Sequence, residues 1–155
     1  MEYSIRTAKF TDKALMDELL QGYLCNLNRY EDIPVNVSGR YDYPYLEYYW
    51  SDNDRYPYLF YAGKNLAGFA LVRRDTDYYE MAEFCTLPDY RRQGAGTILA
   101  VQIIHRHTGR WHLEYNINNI AGCRFWNNLA AKLVGENYIK LPAEDNREYL
   151  EFVIT

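Results

Sequence analysis

The sequence predicts a mixed α/β fold, with one sheet that is flanked by helices. Two observations support this prediction. Early in the chain, the strand-like runs Pro57 to Ala62 and Leu66 to Arg73 surround the short turn at residues 63–65, which predicts a hairpin. Later in the chain, strand-like runs alternate with longer apolar runs of helical spacing, which is the pattern of strands joined by helices that pack on a sheet.

The first elements follow from local periodicity. Tyr3 to Ala8 predicts a short strand, and Thr11-Asp12 is a helix start signal. Apolar residues then recur at helical spacing, which predicts a helix with one buried face: Leu15, Met16, Leu19, Leu20, Tyr23, Leu24 and Leu27.

The remaining elements alternate. The strand Tyr78 to Leu87 precedes a glycine loop, and the apolar run Ile98 to Ile104 predicts a buried helix that ends near Gly109 as a C-cap. The next predicted elements are the strand Trp111 to Tyr115, a helix from residue 120 to 133 capped by Asn118 or Asn119, and two final strands at residues 138–141 and 148–154.

Composition limits the class of protein. A chain of 155 residues fits a single domain over residues 1–155, and a formal charge of −4 argues against a nucleic-acid binder. Three widely spaced cysteines predict reduced thiols and a cytoplasmic location, with no leader and no bilayer-spanning run. His105 and His107 are two residues apart, which is poor spacing for helix ligands, so we expect no metal site there or at His112.

The run from Pro88 to Thr97 joins a predicted strand to a predicted helix and contains Gly94 and Gly96. Glycines allow a ligand to approach the backbone, and the first amides of a helix point at an anion, so this loop predicts a phosphate site. The loop lacks the lysine of the Walker motif and the third glycine of the dinucleotide motif. A different phosphate-bearing ligand is therefore expected.

A second motif lies downstream, where the predicted strand at residues 111–115 is followed by Asn119, Gly122, Phe125 and Trp126. This spacing, together with the earlier Arg91-x-x-Gly94-x-Gly96, resembles the GNAT superfamily of N-acetyltransferases. The resemblance covers residues 56–133 well and the first helix loosely. The Tyr-rich segment, the Met-Ala-Glu-Phe strand at Met81 to Phe84 and the Gly-Arg-Trp strand at Gly109 to Trp111 resemble a group of small uncharacterised bacterial GNAT proteins, which implies no known acceptor.

The resemblance implies a GNAT-like acyl-CoA N-acyltransferase fold: a central mixed sheet with a splayed parallel strand pair and flanking helices. It implies acetyl-CoA as co-substrate, held between the two splayed strands. The implied contacts are backbone groups of Phe84, Cys85 and Thr86 for the pantetheine arm, and Arg91, Arg92, Gln93, Gly94, Ala95, Gly96 and Thr97 for the pyrophosphate. Asn119, Phe125 and Trp126 would complete this cofactor site.

Acetyl transfer to an amine requires a neutral nitrogen and a proton for the departing thiolate. Glu83 and Glu114 lie on the two strands from which family members draw the base, and either could serve. Where many members have a tyrosine acid this chain has Trp126, whose indole donates a hydrogen bond but is no physiological acid. Either another donor such as Tyr115 protonates the thiolate, or it leaves unassisted.

The acceptor is expected to meet the Tyr-rich, acidic segment Arg40 to Tyr56. Aromatic rings beside carboxylates favour a cationic amine, with Tyr45, Glu47 and Tyr48 as the expected contacts. The alternative is that these rings cover the sheet or form a homodimer surface.

The leading hypothesis is an acetyl-CoA-dependent N-acetyltransferase that acts on a primary amine of a small molecule or a peptide. A non-catalytic acyl-CoA-binding regulatory module stays an alternative because of Trp126, and a nucleotide-binding regulator is a third.

Overall fold

A computed structural model describes residues 2–155 of the chain. Seven strands form one mixed sheet, in the order β1-β2-β3-β4-β5-β7-β6. Their bounds are β1 Tyr3–Thr7, β2 Arg55–Ala62, β3 Asn65–Asp75, β4 Tyr78–Thr86, β5 Gly109–Asn116, β6 Ile139–Ala143 and β7 Arg147–Ile154. Only β4 and β5 run parallel among the neighbouring strands of the described residues. The predicted α/β class with a mixed sheet and a parallel pair is confirmed.

Four helices accompany the sheet: α1 Lys13–Leu27, α2 Tyr48–Ser51, α3 Ala95–Arg106 and α4 Ile120–Val134. Alternate residues of a strand face opposite sides, so Tyr58 and Phe60 of β2 pack with α3 and α4, while Leu59 packs with α1. The sheet therefore separates two apolar clusters. The first contains Leu99 and Ile103 of α3, and the second contains residues of α1 such as Met16, Leu20 and Leu24.

Helix α3 ends earlier than the sequence predicts. It stops at Arg106, with His107 as its C-cap, and Gly109 is instead the first residue of β5 with a φ of +131°. His107 is buried, with Nε2 2.6 Å from the Tyr58 hydroxyl, and its carbonyl accepts a 2.7 Å hydrogen bond from Trp111 Nε1. These contacts turn the chain back toward the sheet before Gly109 is reached.

Among residues 2–155, no helix combines the length and the apolar character that crossing a membrane requires. Cys25, Cys85 and Cys123 are free thiols. Within the same described range, no three His, Cys, Asp or Glu side chains are grouped so that they could hold a metal ion.

Candidate functional site

The parallel strands β4 and β5 diverge. They pair only at Tyr79 with Trp111 and at Glu80 with His112, near the start of β4. Beyond these pairs β4 stays bonded to β3, while β5 stays bonded to β7. The widening gap forms a cleft of about 800 Å³, walled by both strands and by the ends of α1, α3 and α4.

The glycine loop closes one end of the cleft. Gly94 is the N-cap of α3 and has a φ of +79°, a left-handed conformation that glycine adopts without strain. A Cβ atom on Gly96 would lie 3.2 Å from Thr86 Oγ1 and 3.3 Å from Phe125 Cε1, so a side chain here would require both neighbours to shift. The result is a bare helix N-terminus that faces the cleft.

Most of the residues predicted to hold the cofactor line this cleft: Phe84, Cys85, Thr86, Arg91, Arg92, Gly94, Gly96, Thr97, Asn119, Phe125 and Trp126. Two do not. Ala95 is fully buried, and the side chain of Gln93 donates a 2.6 Å hydrogen bond to the Asp89 carbonyl. Arg91 Nε donates a 2.8 Å hydrogen bond to the Thr86 carbonyl, which ties the loop to the end of β4.

The start of α4 forms the facing wall. Asn119 caps this helix by accepting a 3.0 Å hydrogen bond from the Gly122 amide. One turn further, the Phe125 ring stacks on Phe84 of β4, with centroids 5.6 Å apart, and Trp126 meets Phe84 edge-on at 5.3 Å. The downstream motif thus supplies an aromatic wall that joins α4 to β4.

Glu83 lies on β4 and lines the cleft. Its carboxylate accepts a 3.0 Å hydrogen bond from the Tyr43 hydroxyl, and Tyr23 of α1 approaches the same group. Burial raises the pKa of Glu83 to about 7, while hydrogen bonds from the two phenols oppose this rise. A carboxylate of this kind can accept a proton near neutral pH.

Glu114 also lines the cleft, but in an ion pair. Its carboxylate accepts a 2.7 Å hydrogen bond from Arg147 Nε, while Arg147 Nη1 donates a 2.6 Å bond to Glu31. One guanidinium therefore joins two carboxylates at the cleft wall. The Glu114 carboxylate is therefore already engaged by a cation.

Tyr115 lies in the cleft wall opposite Glu83. Its hydroxyl donates a hydrogen bond to Glu148 and accepts a 2.9 Å bond from Asn127 Nδ2. Burial and the bond to Glu148 raise the pKa of Tyr115. Its proton is thus held toward Glu148.

Tyr45, Glu47 and Tyr48, the expected acceptor contacts, are not among the residues that line the cleft. The rings of Tyr45 and Tyr48 lie 6.0 and 5.6 Å from the Arg55 guanidinium, and Glu47 lies 3.5 Å from Lys13 Nζ. The physical reason is that α2 packs on β2, so that the Tyr45 and Tyr48 rings lie over Arg55 of that strand, while Glu47 pairs with Lys13 of α1. Tyr43 of the same Tyr-rich segment contacts a cleft residue, Glu83, through a hydrogen bond from its hydroxyl.

Three cleft residues have no role in the sequence-based prediction: Tyr23, Glu31 and Arg147. Neither has Tyr43, which does not line the cleft but contacts Glu83. Tyr23 belongs to the apolar stripe of α1 and carries no separate signal. Glu31 and Arg147 meet across 116 positions of sequence, so their pairing leaves no local pattern. Tyr43 lies within the Tyr-rich segment, but nothing in the sequence distinguishes it from its neighbours.

Residues 16–132 match the sequence model of the Acetyltransferase (GNAT) family. No curated protein matches the chain significantly in sequence.

Three similar solved structures have low sequence identity. The ribosomal-protein-S18-alanine N-acetyltransferase from Escherichia coli is 17% identical, with a TM-score of 0.61 over 99% of this chain and 95% of that one. The PaiA N-acetyltransferase from Thermoplasma acidophilum, in complex with coenzyme A, is 15% identical, with a TM-score of 0.66 over 99% of each chain. A spermidine N-acetyltransferase SpeG chimera from Vibrio cholerae is 13% identical, with a TM-score of 0.66 over 99% and 96%. These likenesses show the shared fold.

Proposed function

The chain belongs to the acetyltransferase (GNAT) family, and from this premise we propose that residues 1–155 form one acetyl-CoA-dependent N-acetyltransferase domain with a primary amine as acceptor. One observation carries the proposal: a single cleft has a bare helix N-terminus on one side and a partly buried carboxylate with a pKa of about 7 on the other. The first feature suits an anionic cofactor. The second suits the removal of a proton from an amine.

The residues present fit acetyl-CoA. A side chain at position 96 would crowd Thr86 and Phe125, and Gly94, Arg91 and Arg92 surround the same helix end, so the loop suits a pyrophosphate. Past Glu80, the edge of β4 that faces β5 has no strand partner, so backbone groups there are available to an extended amide-bearing arm. The coenzyme A complex of the T. acidophilum relative supports this choice of ligand.

Acetyl-CoA, when bound, supplies a thioester whose acetyl carbon is open to attack by a neutral amine. In our proposal the Glu83 carboxylate accepts the proton that the amine must lose. The Phe84, Phe125 and Trp126 rings exclude water from the centre of the cleft. Glu83 is preferred over Glu114 because Arg147 already neutralises Glu114.

The acceptor side of the cleft suits a cationic amine. Its charged side chains are three carboxylates and two guanidiniums: Glu31, Glu83, Glu114, Arg29 and Arg147. Helix α1 ends at this side, and the C-terminal end of a helix dipole favours positive charge. The spermidine N-acetyltransferase among the similar structures acts on a cationic amine of the kind we propose.

A non-catalytic acyl-CoA-binding module is the second candidate. Trp126, in the position of the family tyrosine, favours it, because an indole does not protonate a thiolate. Glu83 argues against it, since a pure binding module has no use for a partly desolvated carboxylate that lines the cleft.

The test is the release of CoA from acetyl-CoA in the presence of a panel of amines: diamines, amino-alcohols of matched length, amino acids and a peptide with a free N-terminus. Turnover with at least one amine, highest for the diamines, is the expected result. Tight acetyl-CoA binding without turnover on any amine would support the binding module instead. Equal rates for diamines and amino-alcohols would contradict only the proposal that the acceptor is cationic, not the proposal of acetyl transfer.

A further inference from the structure

The chain between α1 and α2, residues 28–47, is the connecting segment, and its later part is fixed against α1. The Tyr41 amide donates a 2.8 Å hydrogen bond to the Gln21 side chain, and the Tyr41 carbonyl accepts one of 2.8 Å from it. Arg40 adds an ion pair with Asp17 at 2.8 Å. These bonds hold the backbone immediately before Tyr43, so they fix the position from which the Tyr43 side chain extends.

Tyr43 brings its hydroxyl onto a group 40 residues away in sequence, the Glu83 carboxylate, at 3.0 Å. The ring itself is held edge-on against Tyr45, with centroids 5.7 Å apart. Burial raises the pKa of Tyr43 well above its ordinary value, so the hydroxyl keeps its proton and stays a donor. A proton donor stabilises a carboxylate more than a carboxylic acid, so this hydroxyl favours the ionised form of Glu83.

We propose that Tyr43, supported by Tyr23, is a positioning residue that holds the Glu83 carboxylate ionised and oriented in the cleft, and so sets the pH range over which acetyl transfer proceeds. This inference rests on the proposed role of Glu83 as the proton acceptor. It assigns to the connecting segment a part in the chemistry, rather than only in acceptor recognition.

The other groups that face Glu83 do not replace this function. Burial together with the charges of Glu31 and Glu80 favours the protonated acid, whereas the hydrogen bonds from Tyr43 and Tyr23 favour the carboxylate. Arg73 and Arg147 are engaged by Glu80 and by the Glu31–Glu114 pair. The titratable and charged groups around Glu83 are thus Tyr23 of α1, Tyr49 of α2, Glu31 of the connecting segment, Glu80 and Cys85 of β4, Glu114 of β5 and Arg147 of β7.

The test is Tyr43→Phe, which removes one oxygen and keeps the ring. Loss of a hydrogen bond to the charged form raises the pKa of Glu83, by about one unit, so the acidic limb of kcat/KM should move up by about one pH unit. At pH 6 the variant should be roughly tenfold slower than the unmodified protein, and at pH 9 nearly equal to it. A purely structural defect would instead lower the rate by a similar factor at every pH.

Tyr41→Phe is the matched control, because its hydroxyl lies beside Cys25 on α1 and not at Glu83. It should leave the acidic limb unmoved. Tyr23→Phe should shift the limb in the same direction as Tyr43→Phe, and the double variant should shift it further.

A second readout does not need turnover: a ¹³C NMR titration of the Glu83 carboxyl, assigned with Glu83→Gln. An upward shift of its midpoint in Tyr43→Phe supports the inference. The inference is overturned if the Glu83 titration midpoint is the same in Tyr43→Phe as in the unmodified protein. It is also overturned if Glu83→Gln removes the acidic limb but Tyr43→Phe does not shift it. Failure to acetylate any amine would overturn the proposed function separately, since the NMR midpoint would still report on Tyr43.

Discussion

Gly96→Glu should abolish acetyl-CoA binding without unfolding the protein. A Cβ atom here already lies 3.2 Å from Thr86 Oγ1 and 3.3 Å from Phe125 Cε1, closer than ordinary van der Waals contact. A glutamate also places a negative charge at the helix end where the pyrophosphate is expected. The fold should tolerate it, because the contacted atoms belong to side chains that can move and an acidic residue suits the first turn of a helix.

The size of the effect follows from binding linkage. Acetyl-CoA at one hundred times its Kd stabilises the folded state by about 2.7 kcal/mol. For a chain of this size, one kcal/mol corresponds to about 2–4 °C in Tm, so the unmodified protein should gain roughly 5–11 °C. Gly96→Glu should show no such gain, and titration calorimetry should give an affinity at least about a hundredfold weaker, equivalent to about 2.7 kcal/mol.

Gly22→Glu is the control for added charge, since a Cβ atom at Gly22 of α1 meets nothing within 4 Å. It should keep the full shift in Tm. A folded Gly96→Glu protein that binds acetyl-CoA with unchanged affinity would refute the assignment of this loop.

Two further predictions concern charged groups. Glu114→Gln leaves Arg147 with one fewer carboxylate partner, so steady-state kinetics should show a several-fold higher KM for a cationic amine. The acidic limb of the pH profile should stay unchanged. Loss of that limb would instead make Glu114 the proton acceptor. Burial lowers the pKa of His107 to about 4 in the folded chain, whereas the ordinary value is 6.5. Between these two pH values the unfolded chain binds a proton at His107 that the folded chain does not bind. The free energy of unfolding therefore decreases as the pH falls from about 6.5 towards 4. Urea unfolding should therefore show a loss of roughly 2 kcal/mol between pH 7 and pH 5 that His107→Phe removes, and an equal loss in that variant would contradict the assignment.

Much of the architecture could be predicted because its signals are local. Three features can each be recognised within a few residues: the apolar stripe of α1, the alternating hairpin strands and the two glycines at the start of α3. Helix α2 could not be predicted, because its four residues are too few to show a helical period. Gly109 was placed as a helix cap, but the packing of His107 on Tyr58 ends α3 earlier, and this contact spans 49 positions.

The site likewise has a part that local sequence signals predict and a part that depends on distant contacts. Its cofactor side lies in two short motifs, and the structure brings Gly94, Gly96 and Phe125 together around one cleft. The surroundings of Glu83 come from elsewhere in the chain, since Tyr43 reaches it over 40 positions. Which of two glutamates is free and which is paired depends on contacts that only the folded chain shows.

The central claim is that the cleft transfers acetyl to an amine with Glu83 as the proton acceptor. The most direct test is kcat/KM against pH for the unmodified protein and for Glu83→Gln, with the best amine of the panel. We expect an acidic limb near pH 7 in the unmodified protein. In Glu83→Gln we expect no such limb, a rate about 10²–10⁴-fold lower and an acetyl-CoA Kd within about twofold of the original. A Glu83→Gln protein that keeps both its rate and its acidic limb would contradict the role of Glu83.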